Sequence, residues 1–345
     1  MDLSGAIDYL ARAEARRIRP ITDEDELAEL DLVSGRAVPV IKIQKNVLTG
    51  RLQATGTLRH ASHDNAPRLP FLVDWLDRSV LPLIDPMEAA SVEGSWRIEL
   101  HDSYSYLDKN AGGYREVLSF GRPVGACEQR VALFPDPYHI GSFGGMVDDA
   151  RRGQEVRWES RAAKLFFAGT TTGNTNPLKN ERISACLWSL RRRDISEFYL
   201  TNVAQINYKD ACAVIPMLPQ VMHKPFAIDQ HFRYRYQVNI VGNTACWSRV
   251  PVLLSSGSLM VHVPHSDTMW YYPLLREREH YIATDSHRFD GEAMKRTHQW
   301  CLANDKLCRH ISVSAANLAR GLFVPGTAAA YAAMLLQEAG SLGRA

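Results

Sequence analysis

Three short stretches carry residue types suited to holding a phosphorylated ligand or moving a proton. In the first, Tyr236 to Ile240 alternates apolar and polar residues as a strand does, Gly242 breaks the alternation, and Asn243-Thr244 stands at a cap position before a helix that stops at Gly257. A strand turning through glycine into a helix leaves the N–H groups of Asn243, Thr244, Ala245 and Cys246 near the positive end of a helix dipole, where a diphosphate fits, and Arg249 adds a fixed positive charge. In the second, Phe166-Phe167-Ala168 runs into Gly169-Thr170-Thr171-Thr172-Gly173-Asn174, whose hydroxyls and backbone N–H groups suit phosphate or ribose oxygens. This is not a Walker A loop, because the spacing differs and no lysine follows the second glycine. In the third, the strand Trp96 to Leu100 is followed by Asp102, an acid at the carboxyl end of a strand, which is where ligands gather in open α/β sheets.

Metal chemistry is not indicated. His262 and His265 lie three apart across a strand and Pro264, which does not aim both rings at one ion, and no third ligand is suggested. Asp23-Glu24-Asp25 is the single D-x-D, and it falls at a helix start, where it reads as a capping cluster.

The elements that position these residues alternate between helix-period and strand-period segments, the pattern of an α/β fold. Helices are expected over Leu3–Arg17 and from a cap at Thr22 through Glu26, and helical spacing runs from Leu69 to Leu81. Strands are expected at Val38–Ile43, Trp96–Leu100, Lys164–Phe167 and Ser258–Val263, and a short amphipathic tail helix at Ala328–Leu336. Residues 121–160 are rich in glycine, proline and charge and read as a linker or active-site loops, which puts the domain boundary near residue 160 and gives domains 1–160 and 161–345.

With 345 residues, 46% apolar content and a formal charge of +2, the chain has the length for two globular cores and no overall basicity that would imply nucleic acid. Arg16-Arg17-Arg19 and Arg191-Arg192-Arg193 read as solvated helix faces. The amino terminus begins with an acid and lacks an apolar stretch, no apolar run approaches the ~20 residues of a membrane span, and six scattered cysteines show no C-x-x-C pair. The expected location is therefore the cytoplasm, with peripheral association at the inner membrane as an option.

The same stretches resemble glycosyltransferase family 90, the group that contains CAP10-like proteins and protein O-glucosyltransferases. The resemblance rests on Arg233-Tyr234-Arg235-Tyr236, Asn239, Gly242, Ala245-Cys246, Arg249, Ser256-Gly257-Ser258, Tyr271-Tyr272, Leu275 and His280-Tyr281-Ile282, in order over about fifty residues. Phe167-Ala168-Gly169-Thr170 is similar to the family's FRG-(S/T) motif, with Ala168 in place of its arginine, and Arg182 is the nearest basic residue to a further family arginine. The His101-Asp102-Ser103-Tyr104 run resembles an Asp-Tyr/Trp-Pro element whose Asp is the catalytic base, here without the proline. The resemblance implies a GT-B-like fold, two Rossmann-like domains facing a central cleft, and an inverting transfer of glucose or xylose from a UDP-sugar to a hydroxyl of a surface glycan of lipopolysaccharide or capsule type. It implies Asp102 as general base and a donor site formed by Gly169, Thr170, Thr171, Thr172, Arg182, Gly242, Asn243, Thr244, Ala245, Cys246, Arg249, Asp267 and His280, with no metal or other cofactor. The departures at Ala168 and after Asp102 leave a second reading: a nucleotide-sugar-binding or scaffold protein without turnover.

Overall fold

The computed structural model describes residues 2–21, 39–58, 66–100, 117–123, 131–245 and 247–342. Asp102, Cys246, the Asp23-Glu24-Asp25 cluster and the helix expected from Thr22 lie outside the described residues. In chain order the strands are β1 (Val40–Lys45), β2 (Leu52–Thr57), β3 (Gly94–Glu99), β4 (Val117–Ser119), β5 (Arg122–Pro123), β6 (Val131–Leu133), β7 (Ala162–Thr170), β8 (Ser196–Asn202), β9 (Tyr234–Asn239), β10 (Leu259–His262), β11 (Asp267–Thr268) and β12 (Ile282–Ala283). The helices used below are α1 (Leu3–Ala15), α2 (Arg68–Trp75), α3 (Glu181–Leu190), α4 (Arg249–Ser255), α5 (Gly291–Ala303), α6 (Asp305–Leu322) and α7 (Pro325–Leu342).

The expected division into 1–160 and 161–345 differs from the one the packing makes. One unit comprises residues 1–142, 266–274 and 322–345, and the other residues 143–265 and 275–321. Residues 143–160 go with the second unit because the helix Met146–Arg151 packs on α4. Nor is the 121–160 stretch a linker, since it supplies β5, β6 and several helical turns.

The first unit has a mixed sheet of order β2-β1-β3-β4-β6, in which β1 is antiparallel to β2 and β3, while β3, β4 and β6 run parallel. Every described residue from Trp96 to Leu100 is buried, as an interior strand requires. Ile7, Ala11 and Ala15 recur every four residues on α1 and are buried against α7. The tail helix is therefore longer than expected and mostly interior, with Tyr331 buried and its hydroxyl donating to the Leu133 carbonyl at 2.9 Å. Glu14 receives both ends of the Arg122 guanidinium at 2.5 and 2.9 Å and also the Leu133 N–H at 2.9 Å, which ties α1 to β5 and β6. The helix expected over 69–81 is α2 followed by a π turn at 76–80 and a 3₁₀ turn at 81–83, where Pro82 ends the α pattern.

One buried acid in this unit sets a pH dependence. Asp136 caps the turn Pro137–Ile140 by accepting the N–H groups of Tyr138 and His139, and burial pushes its carboxyl up to about 7. A carboxyl raised in the folded state stabilises fully below its unfolded value near 4 and loses that contribution as pH rises through about 7. Asparagine keeps the capping oxygen without the titration. Asp136→Asn is therefore expected to gain stability over the parent between pH 5 and pH 8, by up to ~3 kcal/mol for the two pH units that separate pH 5 from a folded value near 7, as read from urea midpoints; an equal difference at both pH values would refute the assignment.

The second unit has a five-stranded sheet, all parallel, of order β12-β10-β9-β7-β8. Counted within the unit this is the doubly wound order 2-1-3-4-5, whose direction of winding reverses between β7 and β9. α3 links β7 to β8 and α4 links β9 to β10. Two of the sequence motifs serve this architecture. Arg235 bonds the Trp158 carbonyl at 3.1 Å and pairs with Asp305 at 3.1 Å, where Tyr236 and the Trp158 indole also converge. In Ser256-Gly257-Ser258, Gly257 takes φ +71° after α4, and Ser258 Oγ accepts from the buried Arg161 at 2.6 Å. Among the described residues no single helix is long and apolar enough to cross a membrane.

Candidate functional site

The ends of β7 and β9 are neighbours in the sheet, so the two glycine-bearing turns that follow them meet. Leu165 and Phe167 belong to the core cluster with Ile183 and Cys186 of α3. Gly169 follows two residues on from Phe167, on the same face of the strand, and Arg249, the first residue of α4, lies there with its guanidinium 4.6 Å from the Phe167 ring centre. A Cβ on Gly169 would stand 2.6 Å from Arg249 Nη2, so the glycine is what admits the arginine to the strand end. Burial and then the Arg249 charge push the His231 imidazole down to about 4, so this neighbour is neutral and leaves Arg249 without competition for an anion from that side.

Arg182 fastens the two turns together. Its Nε donates to the Val241 carbonyl at 3.1 Å, Nη1 to the Thr170 carbonyl at 3.2 Å and Thr172 Oγ1 at 2.6 Å, and Nη2 to the Ile240 carbonyl at 3.0 Å. Asn243 accepts the Gly173 N–H at 3.0 Å, and a Cβ on Gly242 would stand 2.7 Å from Thr172 Oγ1 and 2.8 Å from Arg182 Nη2. Gly173 itself has φ +123°, a conformation open to glycine. The result is a stiff double turn with Arg249 beside it.

Gly169, Thr170, Thr172, Arg182, Gly242, Asn243 and Arg249 are thus brought together, with Thr244 and Ala245 buried on the same turn. Within that set the parts differ from the expected ones. Arg182 binds four protein oxygens, so it positions the turns. The Thr171 hydroxyl faces away, donating to the Ala204 carbonyl and accepting the Ala204 N–H, each at 2.8 Å. Asn243 does not cap a helix: α4 begins at Arg249 after Ser248, because residues 241–245 are spent on the turn that meets β7. Asn180 was not singled out in the sequence. It is buried, caps α3 through the Ile183 N–H at 3.1 Å and donates to the Thr171 and Asn174 carbonyls at 2.8 and 2.9 Å. Its signal was available, an asparagine placed just before a helix-period run.

Two expected donor residues are not part of the double turn. Asp267 forms β11, paired with Pro123 of β5, and belongs to the first unit. His280 precedes β12, whose Ile282 and Ala283 pair with Val261 and His262 of β10. Its Nδ1 accepts the Arg276 N–H at 3.0 Å, which closes a local turn, and burial lowers its pKa. Of the remaining histidines, His262 and His265 are pushed down by burial to about 3 and about 4. Among the described residues no group of three or more His, Cys, Asp or Glu is placed to hold a metal ion.

A family model for Glycosyl transferase family 90 matches residues 137–344, more than half of the chain, and includes both turns and Arg249. The chain belongs to glycosyl transferase family 90. Both units of this family 90 chain are α/β, in agreement with the expected fold class, and the second carries the parallel doubly wound sheet. Uncharacterized protein 035R of Invertebrate iridescent virus 3 is 26% identical over 165 residues, 46% of this chain and 15% of the viral protein, so the family 90 chain spans a minor part of that relative's length. Similar solved structures include a glycosyltransferase from Rickettsia africae ESF-5, with a TM-score of 0.37, 9% identity and coverage of 68% of this chain and 66% of that one. They also include Anabaena Alr3699/HepE in complex with UDP and glucose, with a TM-score of 0.38, 11% identity and coverage of 75% and 66%.

Proposed function

We propose that the protein is an inverting glycosyltransferase that uses a UDP-sugar, carrying glucose or xylose, and glycosylates a hydroxyl of a surface glycan. The observation that supports this best is the location of the double turn. It stands at the carboxyl ends of β7 and β9, where the winding of a parallel sheet reverses, and that is where such sheets bind nucleotides. Arg249 beside Gly169 supplies the fixed positive charge that a departing diphosphate needs, with a fork geometry matched to two phosphate oxygens.

In the proposed reaction the acceptor oxygen attacks the anomeric carbon as the bond from that carbon to the β-phosphate oxygen breaks. The bonding electrons leave with UDP, whose new charge Arg249 stabilises, and the acceptor proton passes to the Asp102 carboxylate. The chain's own groups supply both the charge and the base, so the scheme draws on no metal ion. Making a surface glycan suits the cytoplasmic face of a bacterial inner membrane.

The test is a thermal-shift series with UDP, UDP-glucose, UDP-xylose, UDP-galactose, UDP-N-acetylglucosamine and GDP-mannose, each with and without EDTA. UDP and one UDP-sugar at saturating levels are expected to raise the melting temperature by about 2 °C or more, unchanged by EDTA. No shift with any of them would remove the donor site. A second reading, a nucleotide-sugar-binding protein without turnover, is favoured by Ala168 standing where the family pattern has arginine. It predicts the same shift with UDP and no sugar transfer or hydrolysis.

A further inference from the structure

We propose that the β1–β2 hairpin docks the protein on a bilayer that contains anionic lipid, with Val47 and Leu48 entering the headgroup layer. These two adjacent apolar residues are 97% and 96% exposed at the hairpin tip. An ordered turn holds them there. Asn46 Oδ1 accepts the N–H groups of Leu48 and Thr49 at 2.9 and 3.0 Å, the Gly50 N–H bonds the Asn46 carbonyl at 2.8 Å, and Gly50 takes φ +68°. Asn46 Nδ2 also bonds Gln53 Oε1 at 2.9 Å across the strand ends. Little ordering entropy remains to be lost when the tip is buried.

The charge pattern selects the partner. Residues 39–58 contain Lys42, Lys45 and Arg51 and no acid, and all three cations are exposed around the apolar tip. Among the described residues, two acids beside the hairpin base accept from its backbone: Asp77 the Ala54 N–H at 2.5 Å and Glu93 the Lys45 N–H at 3.4 Å. A cleft of about 490 Å³ opens beside the tip, lined by Lys45, Arg51, Leu52, Leu81 and Ile84 and by one acid, Asp77. Residues 81–87 beside it expose Leu83 at 53% and Met87 at 89%, and Asp85 accepts the Met87 N–H at 2.8 Å. An apolar point inside a cationic collar matches hydrocarbon beneath negative headgroups. Two side chains are too small for a stable protein interface, which takes about 800 Å² from each partner.

The experiment is co-sedimentation of the full chain with vesicles of phosphatidylcholine alone and of phosphatidylcholine with phosphatidylglycerol. The parent is expected to pellet with the anionic vesicles, and the Val47→Asp, Leu48→Asp double variant to lose about tenfold or more of its bound fraction. Lys42→Glu with Lys45→Glu and Arg51→Glu should abolish the preference for phosphatidylglycerol. Melting temperature and the UDP shift, measured on each variant, confirm the fold and separate a failure of this proposal from a failure of the donor site. The proposal is overturned if the parent stays in the supernatant with anionic vesicles, or if the aspartate pair binds as well as the parent. A concentration-dependent dimer that the same pair abolishes, without vesicle binding, would assign the tip to a second copy of the chain.

Discussion

Asp102→Asn is expected to retain UDP binding and lose transfer by about 10²-fold or more, the scale of a missing general base. An acceptor hydroxyl holds its proton far above neutral pH, so its attack needs a carboxylate to receive that proton, and an amide of the same shape cannot do so. Asp102 follows β3, an interior strand that runs parallel to β4 and β6, and its neighbour Leu100 is fixed through its carbonyl by Arg68 Nη1 at 2.5 Å. Substitution beyond that anchor leaves the sheet unchanged. Turnover of a UDP-sugar with acceptor and the UDP-induced melting shift are the two readouts, and near-normal turnover would take Asp102 out of the role.

Arg249→Ala is expected to weaken UDP by at least about tenfold while the protein stays folded. The side chain is half-buried and rests on Phe167, so its loss removes an arginine–ring contact of about 1 kcal/mol, well within the stability of an ordinary domain. The diphosphate loses much more, because a charge already held beside the two turns needs no rearrangement to meet it. Arg249→Lys should fall between the two, keeping the charge without the fork. Titration calorimetry with UDP reads the affinity and the thermal midpoint reads the fold; an unchanged dissociation constant in the alanine variant would sink the assigned donor site.

The glycines and Arg249 were legible in the sequence because their chemistry is local: a strand, a break, and a cation a few residues on. What was not legible was pairing. Nothing in Thr170-Thr171-Thr172 says which hydroxyl turns inward, and the answer depends on Ala204, 33 residues away, which claims Thr171. Arg182 carries the charge expected of a ligand contact, yet four backbone and side-chain oxygens from two separate turns surround it, which only the β7–β9 neighbourhood explains. Arg235 and Ser258 of the family pattern make fold contacts here, with Asp305 and Arg161, and a motif alone does not separate such residues from those that face a ligand. The pairing of Asp267 with the first unit was hidden for a related reason. The segment between β10 and β12 leaves the second unit to pair with β5 and then returns, an excursion without a compositional mark.

That excursion, together with α7, bears on the order in which the protein matures. By the time residue 321 leaves the ribosome, every part of the second unit has been made. The first unit must wait, since Ile7, Ala11 and Ala15 of α1 are covered by α7, which follows the whole of the second unit in the sequence. The unit begun before the other is therefore finished after it, and its unfilled apolar surfaces stay exposed to chaperones until α7 has been made.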